Sequence, residues 1–193
     1  MKICFASQNQ NKVREISQLA GDGIEIFGLK ELGFADEIAE TGSTMEENSR
    51  IKARFIYDKF NVPVFADDSG LEVHALNGQP GVYSARYAGP EKDDQKNIDL
   101  LLANLSGRED RFAQFKTVIT FIDSNGGEQQ FEGVAKGKII DTQKGGNGFG
   151  YDPIFVPEGH ALTFAEMTFG QKNELSHRAK AFNQLLSYLN ELK

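Results

Sequence analysis

Phe65-Ala66-Asp67-Asp68-Ser69-Gly70-Leu71-Glu72-Val73 decides how the rest of the chain is read. The apolar run Val62 to Ala66 climbs into two adjacent carboxylates, a hydroxyl and a glycine, and apolar character resumes at Leu71. This pattern predicts a buried strand that ends at Ala66 and delivers Asp67 and Asp68 to its mouth. Neighbouring carboxylates repel, so a fold that holds both in one place supplies a cation. Oxygen-only donors favour a hard ion such as magnesium over zinc. The competing reading is a solvated turn, because Asp, Ser and Gly are common turn formers.

Working outward, 193 residues suffice for one domain with a real core, arranged as one or two lobes. A hydrophobic content of 39% and a charged content of 25% are those of a globular protein. No apolar run approaches a membrane span, so no membrane partner is expected. Met1 to Ser7 lacks the long apolar region of a signal peptide and reads as a strand. The single cysteine, Cys4, excludes an internal disulfide, reads as a core residue, and makes the cytoplasm the default compartment. A net charge of −7 argues against a nucleic-acid polymer as partner. A small polyanion needs only a few cations gathered in one cleft.

Upstream, Ser7-Gln8-Asn9-Gln10-Asn11-Lys12 is a polar loop running into a helix whose inner face carries Val13, Ile16, Leu19 and Ala20. A strand, a polar loop and a helix N-terminus bearing a lysine can cradle a phosphate. The glycine-rich P-loop pattern is absent. Ile24 to Leu29 forms a second strand. Ser43 with Glu46, or Thr44 with Glu47, then makes a capping box that opens a helix to about Lys59. Met45, Ile51, Ala53, Phe55 and Ile56 fall on its inner side, with Asn48 and Lys52 in the middle of that apolar arc. An amide and an ammonium directed inward are costly unless something polar receives them, so they are expected in a cleft. Glu40, just before the cap, is a candidate third carboxylate.

Downstream, Pro80-Gly81 marks a turn, and Arg86 stands between two tyrosines, Tyr83 and Tyr87. Asp93 to Leu105 is an amphipathic helix. Phe112 to Ile122 and Glu128 to Ile140 read as strands joined at Ser124-Asn125-Gly126-Gly127. Glycines at 145, 146, 148 and 150 allow close backbone approach to a ligand, and Phe149 and Tyr151 offer surfaces for a base to stack on. Ser176 is a natural N-cap for a last helix buried through Phe182, Leu185, Leu186, Leu189 and Leu192. His177 and Arg178 then occupy its first turn, where the helix dipole disfavours cations unless an anion or a carbonyl docks there.

Together these blocks resemble the inosine triphosphate pyrophosphatase family. The matching segments are Ala6 to Glu15, Glu40-Thr41-Gly42 through Asn48 to Ala53, Ala66 to Leu71, Pro80 to Tyr87, Gly148 to Pro153, and Ser176-His177-Arg178. The resemblance implies an α/β fold with a long central mixed β-sheet flanked by helices, two lobes with the active-site cleft between them, one catalytic domain over 1–193, and a homodimer. It also implies hydrolysis of ITP, dITP and XTP to the monophosphate and pyrophosphate with Mg2+. By position, Ser7, Gln8, Asn9, Gln10, Asn11 and Lys12 would hold phosphates beside Lys52 and Asn48. Glu40 and Asp68 would serve the metal, with Asp68 as general base and Asp67 in support. Ser69 would touch the substrate, and Phe149, Gly150, Tyr151, Asp152, Lys172, His177 and Arg178 would hold the base. Departures from the family pattern are His74, Ser49 and Phe169-Gly170-Gln171. The alternatives are a pyrophosphatase for other modified nucleotides and a non-catalytic nucleotide-binding module.

Overall fold

In the computed structural model, which describes residues 2–20 and 24–191, strands and helices alternate along the chain. They are β1 (Lys2–Phe5), α1 (Gln10–Leu19), β2 (Glu25–Gly28), α2 (Met45–Phe60), β3 (Val64–Val73), α3 (Asp94–Asn104), β4 (Phe112–Ile122), β5 (Glu128–Ile139), β6 (Phe155–Pro157), α4 (Phe169–Leu175) and α5 (His177–Glu191). The strands form one mixed sheet in the order β2-β1-β3-β4-β5-β6. β1 runs parallel to β2 and to β3, with Phe5 opposite Phe65, and β5 is antiparallel to β6. Among the described residues no helix is long and apolar enough to cross a membrane.

By its contacts the chain divides into two units, Met1–Asp68 with Thr117–Gly133 and Arg178–Lys193, and Ser69–Lys116 with Val134–His177. In the first unit the period of two along each strand sorts side chains to the two faces of the sheet. Ile3, Phe5, Phe65, Ile119 and Phe121 point to one face, where Ile16 of α1 and Phe182, Leu185 and Leu189 of α5 cover them. The Phe5 and Phe65 rings stack at 4.6 Å. Cys4, Ala6, Val64, Ala66 and Ile122 point to the other face, beneath Ala53 and Ile56 of α2. Burying each large side chain contributes roughly 1.5–3 kcal/mol. The second unit has its own core, built on Leu71, Val73, Leu101, Phe115, Phe155 and Phe164.

Three expectations are corrected. β3 does not end at Ala66; it continues through both carboxylates to Val73, so Asp67 and Asp68 are strand residues. Extended backbone is tolerated there because Asp67 meets Lys12 and Arg178 while Asp68 meets Lys52 and the Asn48 amide. α1 begins at Gln10 inside the polar loop, and Asn9 caps it by accepting from the Asn11 and Lys12 N–H groups. Phe55 lies outside, 43% exposed. Its ring packs on Phe34 at 5.6 Å, with the Lys59 ammonium 5.8 Å from its centre. A wheel drawn on apolar residues misplaces it because the buried face of α2 is partly polar, with Asn48, Ser49 and Lys52 all inside. Leu192, assigned above to the last helix, lies outside the described residues.

Candidate active site

Within the first unit, the alternation that builds the two cores also separates the two carboxylates. Asp68 follows Ala66 to the α2 face. There its Oδ2 accepts from the Asn48 amide at 3.2 Å, and its Oδ1 lies 3.8 Å from the Lys52 ammonium. Lys52 also donates to Glu40 at 2.5 Å. Asn48 is fixed from its other end, because its Oδ1 accepts from the Gly42 N–H at 2.8 Å. The helix start that aims these residues is capped by Thr44, whose hydroxyl accepts from the Glu47 N–H, while the Glu47 carboxylate accepts from Ser43.

Asp67 follows Phe65 to the face covered by α1 and α5. Its Oδ2 lies 2.9 Å from the Lys12 ammonium and accepts from the Arg178 Nε at 3.3 Å. Arg178 is 2% exposed and donates through Nη1 to Glu15 as well. Glu15 comes from the same helix face as Lys12, three residues on, a spacing that could have revealed it. The Arg178 guanidinium at the start of α5 therefore meets anions belonging to the protein itself.

These partners set the proton affinities. Burial raises the Asp67 carboxyl, but Lys12, Arg178 and Lys52 outweigh it and hold the group well below the usual carboxylate range. Burial also raises Asp68, and Lys52 and Lys12 offset that only in part, so its affinity stays above the ordinary value. Burial lowers Lys12 against the pull of Asp67, whereas for Lys52 the attraction of Asp68 and Glu40 overcomes burial and raises it. A carboxylate with raised proton affinity beside a fixed ammonium is suited to accept a proton.

The rest of the Ser7 to Lys12 segment is largely engaged with itself and its surroundings. The Ser7 hydroxyl accepts from the Asn9 N–H at 3.3 Å, and the Gln10 amide donates to the Gln8 carbonyl at 3.4 Å. Gln8 donates to the Ala35 and Asp36 carbonyls at 3.0 and 2.7 Å, tying this loop to the segment leading to Glu40. The Asn11 and Lys12 N–H groups are spent on the Asn9 cap.

Within the second unit, Lys172 of α4 donates to the buried Asp152 carboxylate at 2.7 Å. Its ammonium stands 5.3 Å from the Phe149 ring and 5.6 Å from Phe164. The Phe149 N–H is held by Asp152 and the Gly150 N–H by Asp94. His177 is buried and stacks on Phe115 at 4.7 Å, a partner the sequence did not signal. Ser69 is half-buried on β3. Tyr151 is no stacking surface. It is 3% exposed, and its hydroxyl donates to the Ser84 carbonyl, so it belongs to the core. Arg86 lies 5.3 Å from the Tyr83 ring.

Among the described residues no group of three or more His, Cys, Asp or Glu side chains could hold a metal. Glu40 and Asp68, both drawn to one ammonium, nonetheless fit a magnesium ion, which takes one or two carboxylates and completes its shell with water and substrate phosphates.

A mixed α/β sheet that sets Glu40 and Asp68 against one fixed ammonium, that of Lys52, defines a class, enzymes that act on phosphate-bearing substrates. The chain belongs to the Ham1 family, whose sequence model matches residues 3–188. It is 48% identical to a protein of Christiangramia forsetii named dITP/XTP pyrophosphatase, over 99% of this chain and all of that one. The structure of the Staphylococcus aureus Ham1 protein is 43% identical and superposes with a TM-score of 0.91 over the full length of both chains. A Ham1 protein of Coxiella burnetii, 41% identical over 99% of each chain, also gives 0.91.

Proposed function

We propose that this protein hydrolyses the non-standard purine nucleoside triphosphates ITP, dITP and XTP to the monophosphate and pyrophosphate, as one catalytic domain spanning residues 1–193. Near-complete coverage by relatives named dITP/XTP pyrophosphatase supports the substrate class. The observation that carries the chemistry is the geometry around Asp68, whose carboxylate meets the Asn48 amide at 3.2 Å and the Lys52 ammonium at 3.8 Å while Lys52 also holds Glu40.

In this reading Asp68 accepts the proton of a water that attacks the α-phosphorus, and the bond to the β-phosphate oxygen breaks. Asn48 orients the Asp68 carboxylate, and Lys52 balances charge on the phosphates. Glu40 and Asp68 would hold Mg2+, which when bound neutralises phosphate charge and polarises the scissile group. Lys12 adds positive charge to the phosphate end, and Asp67 keeps Lys12 in place. Positioning and charge stabilisation are what phosphoryl chemistry chiefly requires.

The base is assigned to the second unit, with Phe149 for stacking and Lys172 and His177 for hydrogen bonding. Hypoxanthine and xanthine carry a carbonyl where adenine carries an amino group. Donors that pair with the carbonyl are left unpaired by adenine, the stronger form of discrimination. Homodimer formation and a cytoplasmic location, where nucleotide pools reside, belong to the same proposal. Light scattering of the purified protein tests the first.

The deciding experiment incubates the protein and Mg2+ with ITP, dITP, XTP, ATP and GTP, assaying pyrophosphate and orthophosphate separately. Pyrophosphate from the first three alone supports the proposal. Orthophosphate release, or equal use of ATP, overturns it.

A further inference from the structure

Helix α2 carries Asn48 and Lys52 on a buried face where, between the apolar Met45 and Ala53, the buried side chains are the polar Asn48, Ser49 and Lys52. Apolar contact is non-directional and would leave the rotation of this stretch loosely set. A closed hydrogen-bond ring does the setting. The Ser49 hydroxyl donates to the Glu46 carbonyl at 3.1 Å, so the Thr120 hydroxyl of β4, 2.7 Å away, donates to Ser49. Thr120 in turn accepts from the Gln130 amide of β5 at 2.9 Å, and the same amide nitrogen donates to the Glu46 carbonyl at 3.0 Å. Arg50 Nη2 donates to Gln130 Oε1 at 3.3 Å, which fixes the amide orientation. Ser49 and Thr120 are buried, whereas Gln130 is half-buried.

We propose that Ser49, Thr120 and Gln130 are positioning residues for catalysis. They lock one turn of α2 to β4 and β5, so that Asn48 meets Asp68 and Lys52 meets both Asp68 and Glu40. The inference rests on the assignment of Asn48, Lys52 and Asp68 to the reaction. Every bond in the ring has a fixed direction, and directional bonds define an orientation that packing alone does not. Small displacements of positioned groups are expensive in rate.

The test separates orientation from stability. Replacing Ser49 and Thr120 together removes both members of the buried hydroxyl pair, while the half-buried Gln130 amide keeps the Glu46 carbonyl, so the cost to folding is small. The double variant S49A/T120V should therefore melt within a few degrees of the parent. Its kcat on ITP should fall about tenfold while KM stays nearly constant, the signature of lost transition-state alignment. The variant T120S, which keeps the hydroxyl, should retain parental kcat. The inference is overturned if the double variant turns over at the parental rate, or if T120S loses as much as it does. K52M serves as control: if it keeps full activity, the site assignment fails, whereas its inactivity beside an unimpaired S49A/T120V sinks the ring proposal alone.

Discussion

Asp67 and Asp68 are consecutive residues of β3 that face opposite sides of the sheet. Asp67 takes Lys12 and Arg178 from α1 and α5, and Asp68 takes Asn48 and Lys52 from α2. Their adjacency in sequence is therefore no carboxylate pair in the chemical sense. One is held ionised by two cations, and the other is left with a raised proton affinity.

The two should respond differently to removal of charge. D68N keeps the shape and the Asn48 contact region, so the protein should fold and bind nucleotide. Turnover should drop roughly 100- to 10,000-fold, the range for loss of a general base. D67N leaves Lys12 and Arg178 buried beside a neutral amide, a change that costs about 3–5 kcal/mol when a buried pair is broken. Urea denaturation should show a large shift of midpoint for D67N and a small one for D68N. The reverse ranking would mean that the faces are wrongly assigned.

Gly42 is intolerant of a side chain for a local reason. A Cβ there would lie 2.6 Å from the Glu47 Cβ and 2.8 Å from the Asn48 Oδ1 that its N–H now reaches. G42A should therefore push the loop off the start of α2, costing about 1–3 kcal/mol as overpacking does. It should also lower kcat, because Glu40 and Asn48 move with it. Thermal melts and initial rates of G42A measure both effects, and a silent substitution would contradict the contact.

How much of this was visible beforehand depends on what kind of pattern encodes it. The period of two in Phe65-Ala66-Asp67-Asp68 already contains the split between the faces, but turn-forming composition masks it, and the strand is wrongly ended at Ala66. Asn48 and Lys52 stood out because polar side chains interrupt an apolar arc, and the structure buries both. Ser49 stands out only as a departure from the family pattern and Thr120 not at all, since a hydroxyl in a helix or strand is locally unremarkable and gains meaning only across 71 residues of sequence. Tyr151 and Phe149 read alike as aromatics in a glycine-rich loop. Only the packed Ser84 carbonyl makes Tyr151 a core residue.

A dependence of stability on pH is expected from Glu128. Partial burial alone would raise it, but Arg50 Nε at 2.6 Å and Arg54 Nη2 at 2.7 Å lower its pKa below the ordinary 4.5. A carboxyl whose folded pKa is depressed contributes stability that is complete above its unfolded value and is lost as pH falls through the folded one. The pairs are partly exposed, so the effect is modest and screened by salt. Denaturation of the parent and E128Q should differ most at pH 6 to 7, with the gap closing below about pH 4. A constant gap across that range would rule out the carboxylate charge as its origin.

Cys4 offers a reporter of unfolding that needs no engineering. It lies in the middle of β1 with no exposure, and burial, aided by Glu31, pushes its thiol up to about 12. Only the thiolate reacts with alkylating reagents, so at pH 8 the native protein presents neither the accessible surface nor the ionised form. In the unfolded chain the same thiol returns to an ordinary pKa near 8.5 and is partly ionised. Iodoacetamide should therefore leave the folded protein unmodified over hours and label it within minutes in concentrated guanidinium, read by a mass increase of one adduct. Because reaction requires opening of β1, the native labelling rate should rise in D67N, whose neighbouring strand is weakened. Equal rates in folded and unfolded protein would show that Cys4 is not enclosed between the sheet and α2.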